Sequence, residues 1–202
     1  MNGRVRNIVR MALQKFGTRS QKRNLWNKEF ATGHWDYIDR TPDDCIYRFL
    51  ASYSRQGSIL DLGCGSGNTG NEIAAEHYRL YTGVDISDVA IAKARERSQT
   101  VGRGGKNEYV QFDILHYEPE RAYDLILFRE SIVYVPDFHI RDMLVRYSRF
   151  LSPGGVFIVR MCDRERYQGI LNTIRRHFQV VETYVPENVS TIVVVFRPAE
   201  AS

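Results

Sequence analysis

The period of the apolar residues changes as the chain is followed from its start. Val5, Ile8, Val9, Ala12, Leu13 and Phe16 recur at i, i+3, i+4, i+7, i+8 and i+11, which is one face of a helix. Arg4, Arg6, Arg10 and Lys15 fall mostly off that face. Residues 24–56 read as short helices carrying the aromatics Trp26, Phe30, Trp35, Tyr37, Tyr47, Phe49 and Tyr53. From residue 58 onward, short apolar runs alternate with segments of helical period. The runs predict strands at 58–62, 79–84, 108–112, 123–129 and 156–161, and the segments between them predict helices near 66–76, 87–98, 138–151 and 164–178. Two further apolar runs, QVVETYV (179–185) and TIVVVFRP (191–198), are joined through Pro186, Glu187 and Asn188, a connection short enough for an antiparallel pair. Strands alternating with helices predict a parallel sheet covered on both faces, here with an antiparallel strand added at the end.

Composition fits that picture. In 202 residues, 43% are hydrophobic and 12% aromatic, enough for one α/β domain with an N-terminal extension. No apolar run approaches the roughly 20 residues that span a bilayer. Cys45, Cys64 and Cys162 are scattered, which predicts neither disulfides nor a zinc site and suggests a reducing, cytoplasmic setting. The formal charge of +4 is unevenly spread. Residues 1–23 hold seven basic side chains and no acid, leaving 21 basic against 24 acidic residues in the rest, a balance of −3. The arm is basic and the domain mildly acidic, so the charge belongs to an arm rather than to a nucleic-acid-binding face.

The segment ILDLGCGSGNTG (59–70) follows the first predicted strand and admits two readings. Gly65, Gly67 and Gly70 spell G-x-G-x-x-G, a dinucleotide fingerprint. Asp61 followed by Gly63, Gly65 and Gly67 spells D-x-G-x-G-x-G, which suits an adenosyl amino acid. A carboxylate at Asp61 would repel a pyrophosphate but attract an ammonium group. Asp85 ends the second strand, where it can accept from ribose hydroxyls in either case. Asp113 ends the third, where it can accept from an adenine amine. Acids after three successive strands favour the second reading, and no His/Asp cluster predicts a metal.

These segments resemble the class I S-adenosylmethionine-dependent methyltransferases over about residues 57–198. ILDLGCGSGN resembles the family's first motif, TGVDIS its second, FDIL its third, and YDLILFRESIVYV and LSPGGVFIV its fourth and fifth. The resemblance implies a Rossmann-like, seven-stranded, mostly parallel sheet with an antiparallel C-terminal strand, helices on both faces, and a helical lid at 24–56 beneath the arm 1–23. It implies S-adenosylmethionine as cofactor, with S-adenosylhomocysteine as product. Its cofactor residues would be Asp61, Gly63, Gly65, Gly67, Asp85, Ile86, Asp113 and Ile114, with the backbone of Arg129 bordering the cofactor and Trp35 covering it.

At the reacting end, Glu130 to Asp137 resembles small-molecule O-methyltransferases that carry E-x-x-x-H before V-P-D, with Tyr134 standing in the histidine's place. Glu130 is expected as a base, as a holder of the acceptor, or as a carboxylate paired with Arg129, whose side chain can also hold an anionic substrate. Tyr134 would orient the acceptor, since a phenol is a poor base at neutral pH. His34 is a candidate lid-borne base, whereas His116 and His139 read as surface residues. WNKEFATGHWDYID (26–39) resembles the N-terminal segment of methyltransferases found with bacterial polysaccharide biosynthesis genes. The expected acceptor is therefore a small molecule or glycan precursor. The expected partners extend to an anionic membrane met peripherally by residues 1–23, at the inner face; an organelle-targeting peptide, a helix packed on its own domain and a frayed terminus are the other readings. Two competing functions stay open: a nucleic-acid methyltransferase, against which the absence of a [D/N]-P-P-[Y/F/W] motif speaks, and a non-catalytic cofactor-binding subunit.

Overall fold

The computed structural model describes residues 3–38, 40–187 and 189–199; Asn188 of the expected strand connection and residues 1–2 of the arm lie outside them. Two helices open the chain, α1 (Gly3–Phe16) and α2 (Arg19–Ala31), followed by α3 (Ile46–Tyr53). Then come β1 (Ser58–Leu62), α4 (Asn68–Glu72), β2 (Leu80–Asp85), α5 (Asp88–Thr100) and β3 (Asn107–Gln111). The second half is β4 (Tyr123–Arg129), α6 (Asp137–Ser148), β5 (Leu151–Met161), α7 (Gln168–His177), β6 (Phe178–Tyr184) and β7 (Ile192–Pro198). Helix α2 starts from a capping box, in which the Thr18 hydroxyl accepts from the Gln21 amide at 3.3 Å and the Gln21 side chain accepts from the Thr18 amide at 2.9 Å. It runs through residue 23, where the sequence suggested a boundary between arm and lid.

The strands form one sheet in the order β3-β2-β1-β4-β5-β7-β6. Neighbours from β3 to β5 are parallel, and β7 is antiparallel to both β5 and β6. The chain works outward from β1 to β3 and then returns to β4 on the other side. The reversal opens a crevice between β1 and β4 at the carboxyl ends of the strands, where ligands bind in open α/β sheets.

Alternation along the strands divides the core between the two faces. Leu60, Phe128, Phe157 and Phe196 pack with Leu144 and Tyr147 of α6 and Leu171 and Ile174 of α7. Ile59, Leu127, Ile158 and Val195 pack with Phe49 and Leu50 of α3 and Ile91 and Ala94 of α5. All seven predicted strands are present. The helix expected at 66–76 is reduced to five residues because Gly67 caps it in a left-handed conformation (φ 76°) and Ile73 leaves the helix (ψ 136°). The helix expected to reach 151 ends at Ser148, and β5 begins at Leu151, which pairs with Tyr123 before the register shifts to Leu125–Val156.

Candidate active site

The loop after β1 is tied to β2 by two amides, Gly63 at 2.7 Å and Cys64 at 3.1 Å, that both donate to the Val84 carbonyl. Holding the loop so close to the sheet requires positive φ at Gly63 (86°), Gly65 (54°) and Gly67 (76°). A Cβ on Gly63 would lie 2.3 Å from the Ser131 Cβ. The three glycines do different work. Gly63 and Gly65 line a cavity of about 660 Å3 over the β1–β4 crevice, within the roughly 300–1,000 Å3 usual for small-molecule sites. Gly67 is placed away from the cavity, where a Cβ would meet Ala94 of α5 at 2.7 Å.

Acids from successive strands face this cavity. Asp61 is 1% exposed; its Oδ2 accepts from the Tyr81 hydroxyl at 2.6 Å, while its Oδ1 has no hydrogen-bond partner. Burial pushes its carboxyl up to about 6 despite the Tyr81 bond. Asp85 accepts from the Gly65 amide at 3.0 Å and the Ser87 amide at 2.8 Å, and burial likewise pushes it up to about 6. Asp113 is buried and accepts from the Leu115 amide at 3.0 Å. Ile86 and Ile114 line the wall beside these acids. A buried acceptor without a donor costs on the order of 1–3 kcal/mol. Asp61 is thus held in a state that a cationic ligand group would relieve.

An ionic network closes the β4 side. The Arg129 guanidinium donates to Asp44 at 2.8 Å and Thr41 at 2.7 Å through Nη2, and to Tyr47 at 3.2 Å and Thr69 at 3.3 Å through Nη1. Arg160 of β5 reaches the same Asp44 oxygen at 3.2 Å and donates to Glu130. Burial works to raise the Asp44 carboxyl, but the two guanidinium groups outweigh it and hold Asp44 below the ordinary carboxylate range. Two expectations need correction here. Glu130 pairs with Arg160 rather than Arg129, whose guanidinium is taken up by Asp44, Thr41, Tyr47 and Thr69. For the same reason the Arg129 side chain is engaged within the protein and is not free to hold a substrate anion. Glu130 itself sits at φ 58°, a left-handed conformation that a non-glycine residue adopts only when its surroundings impose it.

Helices α1 and α2 roof the cavity around buried Glu29, which accepts from Arg10 at 2.5 Å, Trp35 Nε1 at 3.0 Å and Gln14 at 3.3 Å. Trp26 meets the Tyr134 ring edge-on at 4.9 Å and lies 5.6 Å from Trp35. Burial raises the Tyr134 phenol well above its ordinary value, so it remains a hydroxyl at neutral pH. Tyr134, Glu130 and Trp35 line the cavity, together with Arg129 at the end of β4. His34 does not. It is exposed on the outer side of the roof with Nε2 3.0 Å from Arg10 Nη2, because the turn at Gly33 carries it past Glu29 and away from the interior.

Several cavity residues escaped the sequence reading: Asp44, Arg160, Gln14, Arg166 and Tyr167. Arg160 left a trace, as the only charge inside the apolar run VFIVRM. The others lie on segments whose position depends on packing.

Residues 59–155 match a family described as "Methyltransferase domain". Trans-aconitate 2-methyltransferase from Escherichia coli O1:K1 is 37% identical over 109 residues, covering 52% of this chain and 39% of that protein. The chain thus spans about two fifths of the length of the curated relatives it matches. Among solved structures, the N-methyltransferase NodS from Bradyrhizobium japonicum WM9, in complex with S-adenosylhomocysteine, superposes with a TM-score of 0.70 at 20% identity, covering 88% of this chain and 98% of that one. The [4+2]-cyclase SpnF superposes with a TM-score of 0.69 at 14% identity, covering 90% and 97%. At these identities both structures speak for the fold.

Proposed function

We propose that this chain, whose residues 59–155 match the methyltransferase-domain family, is a class I S-adenosylmethionine-dependent methyltransferase that transfers a methyl group to an oxygen or nitrogen of a small molecule or glycan precursor. The observation that carries the reading is the buried, unpartnered Asp61 Oδ1 beside the Gly63–Gly65 cradle. That is the place for an ammonium group next to an extended adenosyl ligand.

When bound, S-adenosylmethionine supplies a methyl group already activated on a sulfonium. The chain's own residues then have three tasks. Asp61 holds the amino group, Asp85 accepts from the ribose hydroxyls, and Asp113 with Ile86 and Ile114 receives the adenine. Gly63 and Gly65 keep the loop low enough for close approach, while Gly67 fixes the loop to α5. Trp26, Phe30 and Trp35 exclude water from the reacting end, which strengthens every electrostatic contact inside. Tyr134 and Glu130 orient the acceptor lone pair for in-line attack, and positioning of this kind supplies most of the rate for an already activated donor. Glu130, engaged by Arg160, acts as a holder of the acceptor, and takes a proton only from an acceptor hydroxyl or ammonium that must lose one.

Acceptors bearing an anionic group belong first in a screen, because Arg160 Nε is buried at the cavity without a partner and Arg166 lines the same wall. The reading is tested by calorimetric titration with S-adenosylhomocysteine and, in parallel, NAD. Micromolar binding of the first alone is the expected result. Binding of NAD alone would return the glycines to the dinucleotide reading and refute the mechanism.

A further inference from the structure

Helix α1 is docked with its polar side inward. Gln14 is buried, Arg10 reaches Glu29, and Lys15 reaches Asp137 at 2.8 Å. The apolar residues stay in solvent: Ile8 is 68% exposed, Phe16 64%, Val5 46% and Val9 44%. At about 100° per residue, Val5, Val9, Ala12 and Phe16 fall within a sector of about 60°, and Gln14 stands opposite its centre. The usual arrangement of an amphipathic helix on its own domain is thereby inverted. The three donors that Glu29 requires explain the inversion: a buried carboxylate needs Arg10 and Gln14 beneath the helix, and turning the helix over would remove them.

The segment that carries the stripe is charged with one sign, although an exposed acid, Asp137, is held against its Lys15. Residues 1–28 contain eight basic side chains and no acidic one, and the first acid, Glu29, is buried under α1. Arg6, Arg19 and Lys28 are exposed. At the far end of the helix Phe138, next in sequence to the Asp137 that anchors Lys15, is 72% exposed. The stripe lies on a helix of 14 residues, about 21 Å long.

From these features we propose that α1 lays its apolar stripe on an anionic lipid surface. An apolar face flanked by cations, lying in the plane of the interface, is the arrangement such surfaces bind. The opposite side of the same helix supplies Gln14 to the cavity wall, so docking seats the cavity about one helix diameter, roughly 10 Å, from the lipid. An acceptor carried on a lipid would then be presented at the roof. The docking itself does not depend on which reaction the cavity performs.

The test is flotation of the full chain with vesicles of phosphatidylglycerol and phosphatidylcholine, against vesicles of phosphatidylcholine alone. The expected result is binding to the mixed vesicles that falls at least about tenfold on neutral ones and falls again with added salt. Ile8→Gln combined with Phe16→Gln keeps the charge and should lower binding at least about tenfold. Arg6→Gln keeps the stripe and should lower it about fivefold. Both variants should bind S-adenosylhomocysteine as the parent does, because none of the three residues lines the cavity. Failure of the parent to float with the mixed vesicles would overturn the proposal. So would flotation indifferent to the Ile8/Phe16 pair, or light scattering showing a dimer that the same pair abolishes.

Discussion

Cofactor binding should depend steeply on pH between 5 and 7, and the size of the effect follows from how the acids are buried. Burial places the Asp61 and Asp85 carboxyls at about 6 in the ligand-free protein, two units above an ordinary aspartate. An ammonium group beside Asp61 requires the carboxylate. At pH 5 only about one molecule in ten carries it, whereas at pH 7 about nine in ten do. Affinity for S-adenosylhomocysteine should therefore fall about tenfold from pH 7 to pH 5 through Asp61 alone, equivalent to about 1.4 kcal/mol. If the ribose also needs Asp85 ionised, the fall approaches about a hundredfold. The sign for folding is opposite. A carboxyl with a raised folded value binds protons more tightly in the folded state, so this pair favours the ligand-free fold below about pH 4 and withdraws that contribution as pH rises through 6. Calorimetry across this range, in buffers of different ionisation enthalpy, reads both the affinity and the protons released. Near pH 6, binding should release protons. Asp61→Asn, similar in size and without charge, should weaken binding at pH 7 and remove about tenfold of the pH dependence. A flat affinity from pH 5 to 7 would refute the placement of the ammonium group at Asp61, as would an Asp61→Asn variant that keeps the parent's slope.

Three further perturbations bear on the cradle, the ionic network and the reacting end. Gly63→Ala forces a Cβ to within 2.3 Å of Ser131 at φ 86°, so it should lower the melting temperature and weaken S-adenosylhomocysteine binding at least tenfold, on top of about 1–2 kcal/mol of backbone strain. Gly102→Ala, also at positive φ but with open space around it, should cost only the strain, and equal losses in both variants would contradict the cradle. Asp44→Asn leaves Arg129 and Arg160 without their shared anion and should cost about 3 kcal/mol, a fall of roughly 10 °C in thermal unfolding. Because Asp44 is held below the ordinary range, its contribution is present above about pH 4 and is lost as pH falls through the folded value, so parent and variant should converge in acid. Once an acceptor is found, Glu130→Gln and Tyr134→Phe should each lower turnover at least about tenfold with S-adenosylhomocysteine affinity little changed; if neither rate moves, the reacting end lies elsewhere.

The sheet and the floor of the cavity were legible in short-range pattern. Strand runs such as ILDL and YDLILF are dominated by apolar residues because strands covered on both faces must be so, and the glycines between 63 and 67 are where the backbone turns against β2. Asp61, Asp85 and Asp113 could be read because each acid lies at the end of a run, and the end of a parallel strand is a fixed place in such a fold. Local rules suffice for these features, since the constraint and the residue it acts on are neighbours in the chain.

The partner each charge takes, and the direction the first helix faces, emerge only from long-range packing. Glu130 meets Arg160 from a strand thirty residues later, and Asp44 collects two guanidinium groups from β4 and β5, choices made by sheet pairing rather than by adjacency. His34 reads as a lid residue, yet a single turn at Gly33 carries it outside. The periodicity of α1 shows an apolar stripe but not its direction. Direction was set by Glu29, whose burial demands Arg10 and Gln14, and desolvating a lone carboxylate costs more than leaving four apolar side chains in water.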